Sequence, residues 1–148
     1  MHPISRKLVD CFKRGGKLMV AGNGGSSSMA SHMVGELVCT FENKTRRGLP
    51  AICLNVDPAI MTAWSNDVGY EFVFARQIEA LGKKGDLVIL FSTSGKSQNC
   101  IQATQMAEQL DLEVIDFPRS GRKTADIQEF QLKLMHKVVR EVEGELFK

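Results

Sequence analysis

The sequence predicts an α/β fold, a three-layer α-β-α sandwich around a parallel, flavodoxin-like sheet. Three observations carry that prediction. Apolar runs of strand length alternate with segments of 3.6-residue period along the chain. The runs are continuously apolar and rich in Val, Ile and Leu, as strands covered on both faces must be. Two turns of glycine and hydroxyl residues each follow such a run and open a helix, a position typical of the carboxyl ends of strands in open α/β sheets.

Taken in order, Ser5–Lys13 reads as a short helix and Gly15-Gly16 as its stop. Lys17–Ala21 is the first strand, and Ser26–Cys39 a helix. Gly48-Leu49-Pro50 turns the chain into a second strand, Leu49–Asn55. Tyr70–Leu81 has helical period, and Gly82-Lys83-Lys84-Gly85-Asp86 is a turn. A third strand, Asp86–Ser92, leads to a helix at Ser97–Leu110. Leu112–Phe117 is the most polar strand, which places it at a sheet edge. Thr124–Phe147 is a long terminal helix with Ile127, Leu134, Val138, Val139 and Val142 among its apolar positions.

A chain of 148 residues suits one domain over its whole length, residues 1–148, with a real core. The net charge of +2 comes from interspersed signs, so nucleic acid is not expected as a ligand. No apolar stretch approaches the roughly 18 residues a bilayer crossing needs, so no membrane partner is expected. Met1–Lys17 mixes Arg6, Lys7, Asp10, Lys13 and Arg14 and lacks a signal-peptide core, so a cytoplasmic protein is expected. Cys11, Cys39, Cys53 and Cys100 are scattered with no C-x-x-C spacing. They read as buried free thiols of a reducing compartment.

The first glycine turn, Gly22-Asn23-Gly24-Gly25-Ser26, presents free backbone N–H groups and the positive end of a helix dipole, which suit an anion. One turn later His32 and Glu36 stand at i and i+4 and share a helix face. The second turn, Ser92-Thr93-Ser94-Gly95-Lys96-Ser97, suits a phosphate for the same reasons, with hydroxyls added as donors. It is not a nucleotide P-loop, because Leu90 stands where that motif needs its first Gly. The first turn is not a dinucleotide fingerprint, because Ser27 stands where the last Gly is due. Ser and Asn at such turns also serve as helix N-caps. Two turns at the same end of one sheet tip the reading toward a phosphoester. His32, Glu36, Gln128 and His136 would offer two imidazoles, a carboxylate and an amide oxygen, a loose zinc shell that spacing alone does not establish.

These motifs together resemble the sugar isomerase (SIS) superfamily, and within it the phosphoheptose isomerases, from about Gly15 to Val139. Gly22-Asn23-Gly24-Gly25-Ser26 with His32 and Glu36 is similar to the family's G-N-G-G-S…H-x-x-x-E. Gly48-Leu49-Pro50-Ala51-Ile52 resembles its G-L-P-A-I strand, and Asn66-Asp67-Val68-Gly69-Tyr70-Glu71 its N-D-x-G-Y-E. Ser92–Ser97 resembles S-T-S-G-x-S, and Ile127-Gln128-Glu129 with His136 resembles its I-Q-E…H.

The resemblance implies that Ser92, Thr93, Ser94 and Ser97 hold a sugar phosphate. It implies that Asn23, Gly24, Gly25, Ser26, Asn66, Asp67 and Gln128 line the substrate. His32, Glu36, Gln128 and His136 correspond to its metal and catalytic cluster, which carries zinc in some members, with Glu36 as base and His136 as acid. It further implies a homotetramer with sites at subunit interfaces, acting on sedoheptulose 7-phosphate in heptose supply for lipopolysaccharide or capsule. Two alternatives come with it: another sugar phosphate as substrate, or a non-catalytic SIS protein that binds a replication-initiator-like partner. The chain departs from the family in two places. It has a shorter helix before the first turn, and one strand where the family has two around an L-T-G-x-x-G-G turn. The join falls near Asp116, and Gln131 replaces a common His.

Overall fold

The computed structural model describes residues 1–148. Four strands, β1 (Leu18–Gly22), β2 (Ala51–Cys53), β3 (Leu87–Phe91) and β4 (Glu113–Asp116), lie parallel in the order β2-β1-β3-β4. Val20 pairs with Cys53 on one side and Ile89 on the other, and Ile89 pairs with Ile115. The helices are α1 (Pro3–Lys13), α2 (Gly25–Val38), α3 (Pro58–Asp67), α4 (Val73–Leu81), α5 (Gln98–Gln109) and α6 (Thr124–Leu146).

Successive strand residues face opposite sides of a sheet, and the two cores divide by that period. Leu18, Val20, Leu87, Ile89 and Phe91 pack with Leu8, Met33, Leu37, Val138 and Val139 of α1, α2 and α6. Met19, Ala21, Val88 and Leu90 pack with Phe74, Ile78, Ala103 and Ala107 of α4 and α5. Helices thus cover both faces, and the three-layer α/β sandwich expected from the sequence is the observed fold. β1 and β3 are adjacent, yet the connections after them run to opposite sides. That is the switch point at which such sheets open a crevice, and both glycine-and-hydroxyl turns leave from it.

Element bounds differ from expectation where local context overrides pattern. The second strand is only three residues long. It is an edge strand pairing with β1 alone, and beyond it the Asn55 side chain takes over, bonding both backbone groups of Gly22. The sequence reading assigns no element between Asn55 and Tyr70, where the structure has α3. Asp57 caps that helix by accepting from Ala59 and Ile60 N–H, with Pro58 in its first turn. None of its residues is fully buried; Met61 and Trp64 pack only partly against the core and Ile60 is exposed, so its apolar positions form no single buried stripe to read. Tyr70–Leu81 divides into a 3₁₀ turn, Tyr70–Phe72, and α4. β4 is at an edge, as its polarity suggested. Cys39 is exposed, contrary to the expectation of four buried thiols, because it follows the last turn of α2 on the outer surface. The other three are buried, and burial pushes the Cys100 thiol up to about 11. No helix is long and apolar enough to cross a membrane.

At the amino-terminal end of the sheet, Asp86 ties β1 to β3. Its carboxylate accepts from Lys17 N–H at 2.9 Å, from Lys83 N–H at 2.8 Å, and from the Lys17 ammonium. Burial would raise this carboxyl, but those donors outweigh it and hold it below the ordinary range.

Candidate active site

The site is assembled at the carboxyl end of the strands by α2, α5, α6 and the two turns. Gly24 begins α2 at φ +57° and Gly95 turns the second loop at φ +69°, a backbone region that side chains disfavour. Neither α2 nor α5 has a side-chain N-cap: Gly24 has no side chain, and the Ser97 hydroxyl makes no cap bond. Side-chain capping therefore does not account for these turns; Ser26, Ser27 and Cys100 N–H turn back onto the carbonyls of Asn23, Gly24 and Ser97, and the N–H groups of Gly25, Gln98 and Asn99 stay open to a ligand.

Glu36 lies at the centre of the first cluster, 88% of its side chain out of water. Its Oε1 is 2.8 Å from His32 Nε2 and 3.2 Å from His136 Nε2, and the two imidazole nitrogens are 3.5 Å apart. The i, i+4 spacing explains the first contact. The second depends on α6 packing across α2 and bringing in a residue far along the chain, 104 positions after His32. His136 is held from its other side by Phe41, whose ring stacks on it at 5.7 Å. Glu36 Oε2 is buried and has no hydrogen-bond partner.

These three side chains could hold a metal ion. Tetrahedral bonds of about 2.0–2.1 Å put ligand atoms roughly 3.3 Å apart. The separations of 2.8, 3.2 and 3.5 Å bracket that value. Two imidazole nitrogens aimed at one carboxylate oxygen, with its second oxygen unpartnered, fit a cation between them.

Gln128 is not among these contacts. Its carboxamide stands over Gly25, where any Cβ would overlap it, and it lines with His32 a cleft of about 350 Å³ between α2 and α6. The cleft joins the glycine turn to the imidazole cluster. Gln131, in the place of the common His, is buried instead and donates to the Phe117 and Pro118 carbonyls.

At the switch point, Asn23 and Asn99 exchange amide hydrogen bonds at 2.8 Å, and Tyr70 Oη donates to Asn23 Oδ1 at 2.6 Å. These residues with Glu71, Ser97 and Gln98 line a second cavity of about 270 Å³. Sequence reasoning missed Asn99 and Tyr70. Asn99 shares the buried stripe of Ala103 and Ala107, and a polar residue on that stripe was the available signal. Asn66 and Asp67 are exposed and bond to each other, so Tyr70 is the residue of their motif that reaches the glycine turn. Ser26 is buried within the first turn of α2. In the serine turn, Ser92 Oγ accepts from Gly95 N–H and Ser94 Oγ from Lys96 N–H, which fixes the loop. The Thr93 and Ser97 side chains are only partly buried.

Also missed was the pair that braces the cluster. Arg46 is buried, pairs with Glu143 of α6 and donates to the carbonyls of Glu36 and Leu37. Glu143 accepts in turn from Phe41, Glu42 and Asn43 N–H. One ion pair thereby fixes the backbone of Glu36, the loop carrying Phe41, and the helix carrying His136. Burial would raise the Glu143 carboxyl, but Arg46 and the three backbone donors hold it below the ordinary range.

Comparison with known proteins gives the family. The SIS domain family matches residues 2–117. A phosphoheptose isomerase of Roseiflexus sp. (strain RS-1) is 42% identical over 97% of this chain and 81% of its own length. One from Crocosphaera subtropica is 43% identical over 92% of this chain and 77% of its own. The first alignment spans 160 positions, more than the 148 residues here, so that relative carries internal residues this chain lacks. A solved phosphoheptose isomerase from Francisella tularensis superposes with TM-score 0.90 at 30% identity, covering 95% of this chain and 83% of that one. The Neisseria gonorrhoeae enzyme gives 0.88 at 30% identity, with the same coverage. By fold, motif and sequence, this chain belongs to the SIS domain family and, within it, to the phosphoheptose isomerases, which are sugar-phosphate isomerases.

Proposed function

We propose that this protein converts sedoheptulose 7-phosphate to D-glycero-D-manno-heptose 7-phosphate, and that the cluster of Glu36, His32 and His136 performs the proton transfers. The convergence of those three side chains on one point carries the reading. Conversion of the ketose to the aldose removes a proton from C1 and returns one to C2 through an enediol(ate). It also moves a proton between the two oxygens. Glu36 is the base at carbon, with its unpartnered Oε2 available to accept. His136 is the acid at the carbonyl oxygen, kept in place by the Phe41 ring. His32 orients Glu36. Zinc bound by His32, Glu36 and His136, with Gln128 as an uncommon further ligand, would occupy the His136 nitrogen that otherwise carries the acid proton, and would polarise the carbonyl and stabilise the enediolate in its place.

Asn23, Gly24, Gly25, Ser26, Asn66, Asp67 and Gln128 line the sugar in this reading, and Asn99 and Tyr70 set the Asn23 amide. Ser92, Thr93, Ser94 and Ser97 take the phosphate, whose remote binding energy positions the reacting carbons. Assembly into a homotetramer with interfacial sites is part of the reading. The exposed Ile60, Val68, Tyr70 and Phe72, on and around the unburied α3, give a second copy apolar surface to cover. The protein would act in the cytoplasm, supplying heptose for lipopolysaccharide or capsule. The alternative of a non-catalytic partner-binding SIS protein has no need of a converged cluster.

The test is proton NMR in D2O with sedoheptulose 7-phosphate, with and without zinc. The expected result is aldose carrying deuterium at C2, absent in Glu36→Gln and His136→Ala. Folded, assembled protein without turnover would exclude this substrate and bring the partner-binding alternative forward.

A further inference from the structure

The connection from β4 to α6 carries Arg119, Arg122 and Lys123 within five residues, and the first of these lies against the serine turn. Arg119 Nη1 donates to the Ser92 carbonyl oxygen at 3.3 Å. Its two terminal nitrogens stand 3.0 and 3.4 Å from where a Cβ on Gly95 would be. Asp116, the last residue of β4, takes the end of the fork, with Nη1 and Nη2 donating to its two carboxylate oxygens at 2.7 and 2.5 Å. A guanidinium has five N–H donors in one rigid plane. Two go to Asp116 and one to Ser92. The other two, Nε–H and the second Nη2 hydrogen, share one edge of the plane and point the same way. Neither is used within the chain, and such an edge matches two oxygens of a phosphate.

The serine turn alone supplies hydroxyls, backbone N–H groups and a single cation, the exposed Lys96. The Asp116 carboxylate stands beside it and would repel a dianion. Arg119 lies between the two and neutralises that charge. We infer that Arg119 is a phosphate-binding residue of this site, its free edge receiving phosphoryl oxygens while Asp116 holds the fork. The inference rests on the reading of Ser92–Ser97 as the phosphate turn. Arg119 owes its place to the short connection, since only Phe117 and Pro118 separate it from the end of β4. The side chain is 31% exposed, so a substrate reaches it without rearrangement.

The experiment measures turnover of sedoheptulose 7-phosphate, with inorganic phosphate as a competitive inhibitor, in wild type, Arg119→Ala and Arg119→Lys. Arg119→Ala is expected to raise KM and the phosphate inhibition constant together, about ten- to hundredfold. kcat should stay within about twofold, the pattern of a lost uniform binding contact. Arg119→Lys should restore part of the loss, since it keeps the charge and loses the fork. If phosphate inhibits wild type and Arg119→Ala equally, the role of Arg119 is overturned and the phosphate turn stands. If phosphate does not inhibit wild type and Ser97→Ala leaves KM unchanged, the turn is not the phosphate site and the inference falls with it.

Discussion

Two ends of the same sheet each carry a carboxylate largely shielded from water, and the chain treats them in opposite ways. At the amino-terminal end, the Asp86 carboxylate receives two backbone N–H groups and the Lys17 ammonium. At the carboxyl end, Glu36 meets two imidazoles through one oxygen and leaves the other buried without a partner. A carboxylate whose lone pairs the fold fills is holding strands together. One whose lone pair the fold leaves open, at a cost in desolvation, is arranged for a ligand or a proton. Glu143 belongs with Asp86 by this criterion although it lies on the same helix as His136.

The comparison is sharpened first at Glu36. Glu36→Gln should lower kcat by about 10²- to 10⁴-fold, read by deuterium incorporation, with the melting temperature unchanged. A variant that also unfolds would show that Glu36 is structural after all. Glu143→Ala should have the converse signature, losing about 3–5 kcal/mol in denaturant unfolding because Arg46 is left buried without its partner. Asp86→Asn should cost about 1–3 kcal/mol at neutral pH. Its pH dependence follows from the sign of the shift. Asp86 is held below its unfolded value, so its contribution is complete above the ordinary carboxylate range of about 4 and fades as pH falls through the lowered folded value. Asp86→Asn should therefore flatten the acid side of the stability curve, as measured by melting from pH 7 to 3. The smallest effect is expected at Ser97, which caps nothing. Ser97→Ala should leave stability within about 0.5 kcal/mol and raise KM about fivefold.

Much of the fold was legible because its strands are buried on both faces. Leu87–Phe91 is uniformly apolar and could hardly be anything else, and Glu113–Asp116 betrayed its edge by its charges. α3 escaped because only Met61 and Trp64 of it pack, and only partly, against the core, leaving the Asp57-Pro58 cap as the clearer signal. In the site, His32 and Glu36 declared themselves by helical spacing, and His136 joined them only through the family motif, since spacing across 104 residues says nothing. Arg46 and Glu143 were invisible for a physical reason. Isolated charges in a sequence read as solvated, and only the packed structure tells a buried pair from two surface ones.

α6 contributes His136 to the cluster and Glu143 to its brace, yet it follows every strand of the sheet in sequence. A chain with the sheet complete and this helix undocked would have every strand and both turns, but no second imidazole beside Glu36 and no anchor for Arg46. If the proposed roles hold, catalytic competence and the docking of α6 rise and fall together. Amide exchange along α6 would follow the population of the working enzyme as closely as an assay does.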